Sequence, residues 1–520
     1  MRETILKNLR EFSTPQRPIY LVGGAVRDWI LDRPVHDLDF VLPGETRRLA
    51  QEIASRFEGA LFILDEKRQT TRVVLNQAKL PGGHPGERLL LDFAAFQASD
   101  LQEDLSVRDF TINAMAVDVA HPDQLIDPTG GLADLQDKRI RACSPNSLNH
   151  DPVRVLRAVR QALGLGFRIE PETLRLMRSA TGLLPRVSAE RLWDELFKML
   201  DGPQVALSIR LLDQVGALAY ILPELEELKG VGQSAPHIED VWEHTLSAVQ
   251  HLERLLAPLV GQYRQETVAD LSVVSAVLWL GRFRDHFFEH FQLTLVPERT
   301  LRSLLFLAAL YHDIEKPASR EVMPEGKIRF LGHPEKGAQT ITERGLRLAL
   351  STHEIARLET IIRHHMRVHF MANSLLAGKE KMPSRRVIYR FFKDTGVSGV
   401  DICLLSLADT RGTFGVTLPQ ETWQSELEIC RLLLEAYWEK TEEVVSPPRL
   451  LSGNDLIKLY GMEPGKEIGR ILGALREGQA AGEIVSREEA LEFTRHWVNK
   501  TLDPGERSEE PDYKGQEGYG

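Results

Sequence analysis

The stretch Tyr20–Leu42, YLVGGAVRDWILDRPVHDLDFVL, decides the fold of the first part of the chain. An apolar run ends in Gly23-Gly24, an amphipathic segment follows, and a second apolar run, DLDFVL, carries Asp37 and Asp39 two residues apart. That order reads as strand, glycine turn, helix, strand. Alternate residues of a strand point to one face, so Asp37 and Asp39 project together, as the oxygen ligands of a hard divalent cation must. The glycines let backbone N–H groups approach phosphate oxygens at the helix start, where the dipole favours anions. A third carboxylate, Asp92, lies in RLLLDFAAF. This run reads as a buried strand, where an unpaired Asp is costly and calls for a partner or a metal.

Working outward, the pattern changes character once. Through residue 140, short strand-like runs such as ALFIL, RVVL and AMAVDV alternate with short helices. Beyond it, VRVLRAVRQALGL and AERLWDELFKML set a helical period, with Pro and Gly punctuating the ends. The expected division is a mixed head over 1–140, a helical neck over 141–230, a histidine-rich helical block over 231–413, a further helical block over 414–502 and a polar, Gly-rich disordered tail over 503–520.

The net charge of −11 excludes a diffusely basic nucleic-acid coat, so any RNA contact must be local. No apolar run reaches the roughly 18–20 residues a membrane helix needs. The opening MRETILKNLREF reads as an amphipathic helix without the apolar core of a secretory signal. Cys143, Cys403 and Cys430 are widely spaced and form no CxxC pair, which argues against a disulfide framework and a thiolate zinc site. The cytoplasm is the expected location, with no membrane partner.

Downstream come EDLSVRDFTINAMAVD (Glu103–Asp118), HDPVRVLRAVRQALGLGF (His150–Phe167) and RVSAERLWDELFKML (Arg186–Leu200). With the GG and DxD segment, these resemble the successive motifs of the class II tRNA nucleotidyltransferase and bacterial poly(A) polymerase family. The resemblance covers residues 17 to 200. It implies an α+β fold: a polymerase-β-like nucleotidyltransferase head followed by an all-helical neck, with an HD-type helical domain and a helical tail beyond. By this resemblance Asp37 and Asp39 hold catalytic Mg2+, and Asp92 is a further acidic residue of the catalytic set. Gly23, Gly24, Arg27 and Asp28 match a GGxxRD loop. Arg108, Asp109 and Asn113 match an RDFTxNA motif that binds the ribose and phosphates of the nucleotide. Asp151 and Arg154 match the end of an EDxxR motif that reads the base edges of CTP or ATP. At positions i and i+3 that pair is expected on one helix face, which Arg157 and Arg160 extend toward phosphate. Arg191 and Glu195 are expected to pair as i,i+4 neighbours. His150 stands where the family has Glu, Val107 replaces a frequent Arg, and Ala94-Ala95-Phe96-Gln97 replaces a Thr-Thr-Phe-Arg-like stretch. A neutral His cannot anchor the neighbouring Arg as a carboxylate would, which leaves the choice among C, A or both open.

In the third block, His244 in VWEHTL, His312-Asp313 in LYHDIEKP, His333 in LGHPEKGA, His365 in IIRHHMRV and Asp409 in LADTRG resemble an HD-family metal phosphohydrolase. Imidazoles and carboxylates on packed helices suit a divalent transition metal. The resemblance gives His244, His312, Asp313 and Asp409 as a first metal set, supplemented by His333 and His365. Between His364 and His365 the choice comes from the residues themselves. Ser351 to Glu354 reads as a capping box, and Ile355, Leu358, Ile362 and His365 then share the inward face. Glu315 occupies a position where that family often has Gly.

The fourth block resembles the C-terminal helical region of HD-containing members of the first family. Arg385, Arg386, Arg390 and Lys393, interleaved with Tyr389, Phe391 and Phe392, form a candidate basic stripe for RNA, although helical spacing also explains the aromatics as core. The expected function is Mg2+-dependent addition of C and/or A to the 3′ end of tRNA or another RNA from CTP and/or ATP. A poly(A) polymerase, or an enzyme restricted to C or to A, is the near alternative. From another class, the alternative is an HD phosphohydrolase with a second divalent metal.

Overall fold

The computed structural model describes residues 2–35, 37–66, 69–76, 88–261, 270–378 and 382–502. The tail expected over 503–520 lies outside the described residues. The chain forms two compact units, Met1–Leu196 with Ser208–Ile221, and Phe197–Leu207 with Leu222–Gly520, so the segment 141–230 is shared between them. Among the described residues no helix is long and apolar enough to cross a membrane.

Among the described residues the large sheet of the first unit is built from seven strands: β1 (Tyr20–Val22), β2 (Asp37–Leu42), β3 (Ala60–Asp65), β4 (Thr70–Asn76), β5 (Arg88–Ala95), β6 (Ala116–Asp118) and β7 (Leu125–Ile126). They form one sheet in the order β3-β4-β5-β2-β1-β6-β7. β2 and β5 are parallel, and the other neighbours are antiparallel. Side-chain alternation sorts the two faces. Leu38 and Phe40 of β2 and Leu89, Leu91 and Phe93 of β5 are buried, and the rings of Phe40 and Phe93 stack with centroids 5.2 Å apart. The helix Arg47–Arg56 buries Leu49, Ala50, Ile53 and Ala54 and packs on β3 and β4. The strand around Asp92 is buried on its Leu89, Leu91, Phe93 face, while Asp92 lies on the other, partly open face with Asp37 and Asp39, a face that is covered further along at Val41 and Ala94. In the neck, the helix Arg154–Leu165 buries Val155, Leu156, Ala158, Val159 and Ala162 and closes at Gly166, whose φ is 71°.

The second unit is built on helices Val241–Leu259, Leu301–Tyr311, His333–Arg347, Thr352–His364, Met366–Leu376, Ser398–Phe414 and Gln420–Trp438. Leu301–Tyr311 is apolar on nearly every side and buried apart from Arg302, as a central helix should be. Val241–Leu259 packs against Ser398–Phe414 through Gly412, where a Cβ would stand 3.2 Å from the Ala248 backbone nitrogen and 3.3 Å from His244 Nδ1. That close approach brings His244 near Asp409. The capping box of Ser351 and Glu354 opens Thr352–His364 as expected. Ile355, Leu358, Ile362 and His365 are buried, while His364 keeps part of its surface. The final helices, Gly453–Tyr460, Lys466–Ala481 and Arg487–Leu502, enclose a separate apolar cluster including Leu456, Ile471, Leu475 and Ala490.

Candidate active site and metal centre

In the first unit Asp39 is the register partner of Asp92 across the parallel pair β2–β5, and Asp37 is that of Leu90. The three carboxylates thus share one face of adjacent strands. Arg72, the partner of Asp92 on β4, donates Nε–H and Nη2–H to its two oxygens, each at 2.8 Å. Asp39 retains accessible surface, yet it lies among densely packed protein. That desolvation comes first, and the charges of Asp92 and Asp37 add to it against the opposing pull of Arg108 and Arg72; together they push the Asp39 carboxyl up to about 6. A cluster of like charges with one raised carboxyl is what a divalent cation would relieve, so the residues present fit such an ion.

Gly23 leads into the helix Gly24–Ile30 with φ 71° and ψ −143°, backbone angles that suit glycine. A Cβ there would lie 3.4 Å from Asp39 Oδ2 and 3.6 Å from Arg108 Nη1, so the glycine turn rests against both side chains. Arg72 is the member of this group that sequence reading misses. Within TTRVVLN it looks like one exposed strand position, and only the register shows what it faces.

A chain of polar contacts runs from the glycine loop into the neck. Arg27 clamps Asp28 with Nε and Nη2 at 2.9 and 2.8 Å and donates Nη1–H to Asn113 Oδ1 at 2.7 Å. Asn113 Nδ2 donates to Asp109 Oδ1 at 3.0 Å and to Gln161 Oε1 at 2.9 Å. Arg157 holds Asp109 Oδ2 with Nε and Nη2 at 2.9 and 2.8 Å and reaches Glu195 with Nη1 at 3.1 Å, while Arg160 Nε meets the other Glu195 oxygen at 2.6 Å. Burial disfavours charge on Asp109, but Arg157, Asn113 and the Phe110 N–H outweigh it and hold the carboxyl below its ordinary value.

Three expectations change here. Arg157 and Arg160 do not form a free basic face, because Asp109 and Glu195 occupy them. Glu195 does not pair with Arg191: two arginines of the neighbouring helix compete for it, and Arg191 Nη2 instead donates to Asp151 Oδ2 at 2.7 Å. Asp151 and Arg154 do not share a helix face either. Asp151 is extended, with φ −142° and ψ 92°, and Arg154 is the first residue of its helix. Arg154 Nη1 lies 3.0 Å from the Arg108 carbonyl, 3.1 Å from that of Ser147 and 2.8 Å from Ser147 Oγ. Ser147 and these carbonyls supply the anchoring that exposed His150 does not.

In the second unit the six expected residues come together. His244, His312 and Asp313 each offer a ligand atom within 4.8 Å of one another, and so do Asp313, His333 and His365; all five residues are buried. Asp313 divides its oxygens between the groups. Oδ2 lies 3.3 Å from His244 Nε2 and 3.1 Å from His312 Nε2, whereas Oδ1 lies 3.2 Å from His333 Nε2 and 3.9 Å from His365 Nε2. Asp409 Oδ1 joins the first group, 2.9 Å from His244 Nε2.

The tautomers carry the electrostatic argument. His312, His333 and His365 each donate Nδ1–H to a backbone carbonyl, of Ala309, Phe330 and Ile362, at 2.7, 2.8 and 2.7 Å. Their Nε2 lone pairs are thereby turned toward a carboxylate, an arrangement that a cation stabilises. His244 Nε2, His312 Nε2 and Asp409 Oδ1 are buried with no hydrogen-bond partner among the described residues, so the donor set fits a divalent metal. Burial, reinforced by His333 and His312, pushes His365 down to about 3, whereas at His312 burial is outweighed by Asp313 and Asp409, which raise it to about 10, so a metal there would displace a proton.

Other residues here escape the sequence reading. Lys316, three residues past Asp313, places Nζ 2.7 Å from Asp313 Oδ2. His369, four past His365, reaches Asp409 and Glu426. Their i+3 and i+4 spacings are the available signal. Glu315 spends its carboxylate on Thr340 Oγ at 2.5 Å.

The basic stripe is largely engaged. Arg385 donates to the Glu443 carbonyl at 3.1 Å, Arg386 to Glu483 at 2.6 Å and Arg390 to Glu477 at 2.9 Å. Tyr389, Phe391 and Phe392 are core, and Lys393 is exposed.

Comparison with known proteins matches both parts of the chain. A poly A polymerase head domain model matches residues 19–141, one described as the probable RNA and SrmB-binding site of polymerase A matches 166–229, and an HD domain model matches 284–393. The chain is 32% identical over 495 residues to the CC-adding tRNA nucleotidyltransferase of Thermus thermophilus, covering 94% of this chain and 95% of that protein. It is 31% identical over 490 residues to the A-adding tRNA nucleotidyltransferase of Deinococcus radiodurans, covering 92% and 96%. Among solved structures, the Thermotoga maritima CCA-adding enzyme complexed with tRNA-CCA shares the fold, with a TM-score of 0.55, 21% identity and coverage of 96% and 95%.

Proposed function

The chain belongs to the tRNA nucleotidyltransferase family with a poly A polymerase head domain, and from that premise we propose that it adds C and/or A to the 3′ end of tRNA from CTP and ATP, releasing pyrophosphate. The observation that carries this reading is the side-by-side placement of Asp39 and Asp92, with Asp37 on the same face and Gly23 against Asp39.

In the reaction the terminal ribose oxygen bonds to the α-phosphorus, the bond to pyrophosphate breaks and the hydroxyl loses its proton. Asp37 and Asp39 would hold Mg2+, with Asp92 oriented beside them by Arg72. When bound, such ions acidify the attacking hydroxyl and neutralise charge on the leaving group. Gly23 keeps the backbone close to the carboxylates at a positive φ that suits glycine, so its turn would bring backbone N–H groups near the triphosphate. Arg108 supplies positive charge beside that turn. The Arg27, Asn113, Asp109, Arg157 chain fixes the loop that carries it. Asp151 and Arg154 would offer an acceptor and a donor to the base edge, and for Asp151 this means sharing or releasing Arg191. The CC-adding and A-adding relatives are nearly equally similar, at 32% and 31%, so overall identity does not choose between the nucleotides. Incubation with tRNA lacking its 3′ CCA and labelled CTP, ATP or both, resolved at single-nucleotide steps, tests the reading; no extension of any substrate would refute it.

A second activity is favoured by one observation, the two oxygens of Asp313 facing two histidine groups. In this reading His244, His312, Asp313 and Asp409 hold one divalent cation and Asp313, His333 and His365 a second, serving a phosphohydrolase that acts on RNA ends or nucleotides. A metal bound there supplies Lewis acidity toward a phosphoryl group. Release of phosphate from 3′-phosphorylated RNA ends, or opening of 2′,3′-cyclic ends to phosphomonoesters, abolished in His312→Ala, is the expected result; activity that survives the substitution contradicts it.

A further inference from the structure

Glu426, His369 and Asp409 form a polar chain through the interior of the second unit, on helices Gln420–Trp438, Met366–Leu376 and Ser398–Phe414. His369 Nδ1 lies 2.6 Å from Glu426 Oε1, and His369 Nε2 lies 2.9 Å from Asp409 Oδ2. The second Glu426 oxygen accepts Ser406 Oγ–H at 2.9 Å, which fixes the outer end of the chain. Asp409 and Glu426 are 7% and 3% exposed, so both carboxylates depend mainly on protein partners.

We propose that His369 is a positioning residue of the HD metal centre, holding Asp409 by one oxygen so that only the other is offered to the metal, and that it is not itself a ligand. The inference rests on the metal reading given above. A carboxylate can only accept, so each ring nitrogen of His369 donates and neither keeps a lone pair for a metal. This separates His369 from His312, His333 and His365, whose Nδ1 is held by a backbone carbonyl and whose Nε2 faces the shared Asp313 carboxylate. Asp409 shows the complementary division. Oδ2 is taken by His369, while Oδ1 stands 2.9 Å from His244 Nε2 and 3.7 Å from His312 Nε2 with no hydrogen bond of its own. A ligand whose second oxygen is tied to a rigid donor presents one orientation, and outer partners of this kind typically contribute about 10- to 100-fold to metal affinity.

The test uses the full chain with Asp37→Ala and Asp39→Ala, which silence the head, and titrates Mn2+ calorimetrically and Co2+ by visible absorption. His369→Ala should weaken Mn2+ binding by about 10- to 100-fold and alter the Co2+ spectrum. His369→Gln, whose amide can still donate toward Asp409, should recover part of the affinity, and Glu426→Gln should weaken it less than His369→Ala. A folded His369→Ala variant, by circular dichroism, with unchanged affinity and spectrum overturns the proposal. If that variant does not fold, unchanged Mn2+ affinity in Glu426→Gln overturns it instead. The parent reading fails separately: if the parent chain binds no Mn2+, or binds it equally after His312→Ala, the metal centre itself is wrong. Binding lost in His312→Ala but intact in His369→Ala refutes only the role given to His369.

Discussion

Asp39 and Asp92 stand in register on parallel strands, and Arg72 clamps both oxygens of the second. Burial first, and then the charges of Asp92 and Asp37, raise the carboxyl of Asp39 from 3.8 to about 6. Because the folded value lies above the unfolded one, the fold binds this proton more tightly, and the stability it lends is full below the unfolded value and lost as pH rises through about 6. Metal-free protein should thus lose thermal stability across that window, and Mg2+ should restore it. Nucleotide addition at low Mg2+ should fall as pH drops through about 6 and recover with excess Mg2+. An acid limb insensitive to Mg2+ would contradict this.

Arg72 lowers the Asp39 carboxyl. Arg72→Met should therefore move the acid limb of the pH–rate profile upward. The pair is partly exposed, 31% and 18%, so stability should change by only about 0–1 kcal/mol. Initial rates across pH together with a melting curve separate the two effects.

Gly23→Ala should be costly and Gly24→Ala milder. At position 23 the backbone is strained for any side chain, by about 1–3 kcal/mol, and the new methyl meets Asp39; at position 24 the neighbour is the flexible end of Arg27, 3.3 Å away. Melting temperature and nucleotide-addition rate should both rank the variants in that order.

The neck makes a paired prediction. Arg157→Gln strips the buried Asp109 of its main cation and should cost about 2–4 kcal/mol, less than a fully buried pair because Arg157 is 36% exposed. Arg191→Gln frees Asp151 and should cost about 1 kcal/mol or less, while shifting the ratio of CTP to ATP use. Denaturant unfolding and competition between the two nucleotides check these outcomes.

For the second unit, chelation should lower the melting temperature and added Mn2+ should restore it, since an ion that binds only the folded state stabilises it. His312→Ala should reduce that response to the part the head supplies, while nucleotide addition persists. A Mn2+ response equal to wild type in His312→Ala would rule out this cluster as its source.

Much of this was legible because the decisive features are local. The two-residue spacing of Asp37 and Asp39 needs only the strand period, and the inward turn of His365 follows from the capping box at Ser351. What sequence reading missed arises between elements. The pairing of Arg72 with Asp92 depends on strand register, which no window of TTRVVLN contains. The transfer of Glu195 from Arg191 to Arg157 and Arg160 depends on which helix packs beside it, and a local i,i+4 rule cannot see that competition. Asp151 was misplaced because helical spacing was extended across Pro152, whereas the helix begins only at Arg154.

The most direct measurement compares wild type with Asp39→Asn in single-turnover extension of tRNA lacking its 3′ CCA, with CTP and ATP at saturating Mg2+. The account predicts stepwise extension by wild type and a loss of about 10^3-fold or more in the folded variant, roughly 4 kcal/mol of barrier. Extension by folded Asp39→Asn at the wild-type rate would contradict it.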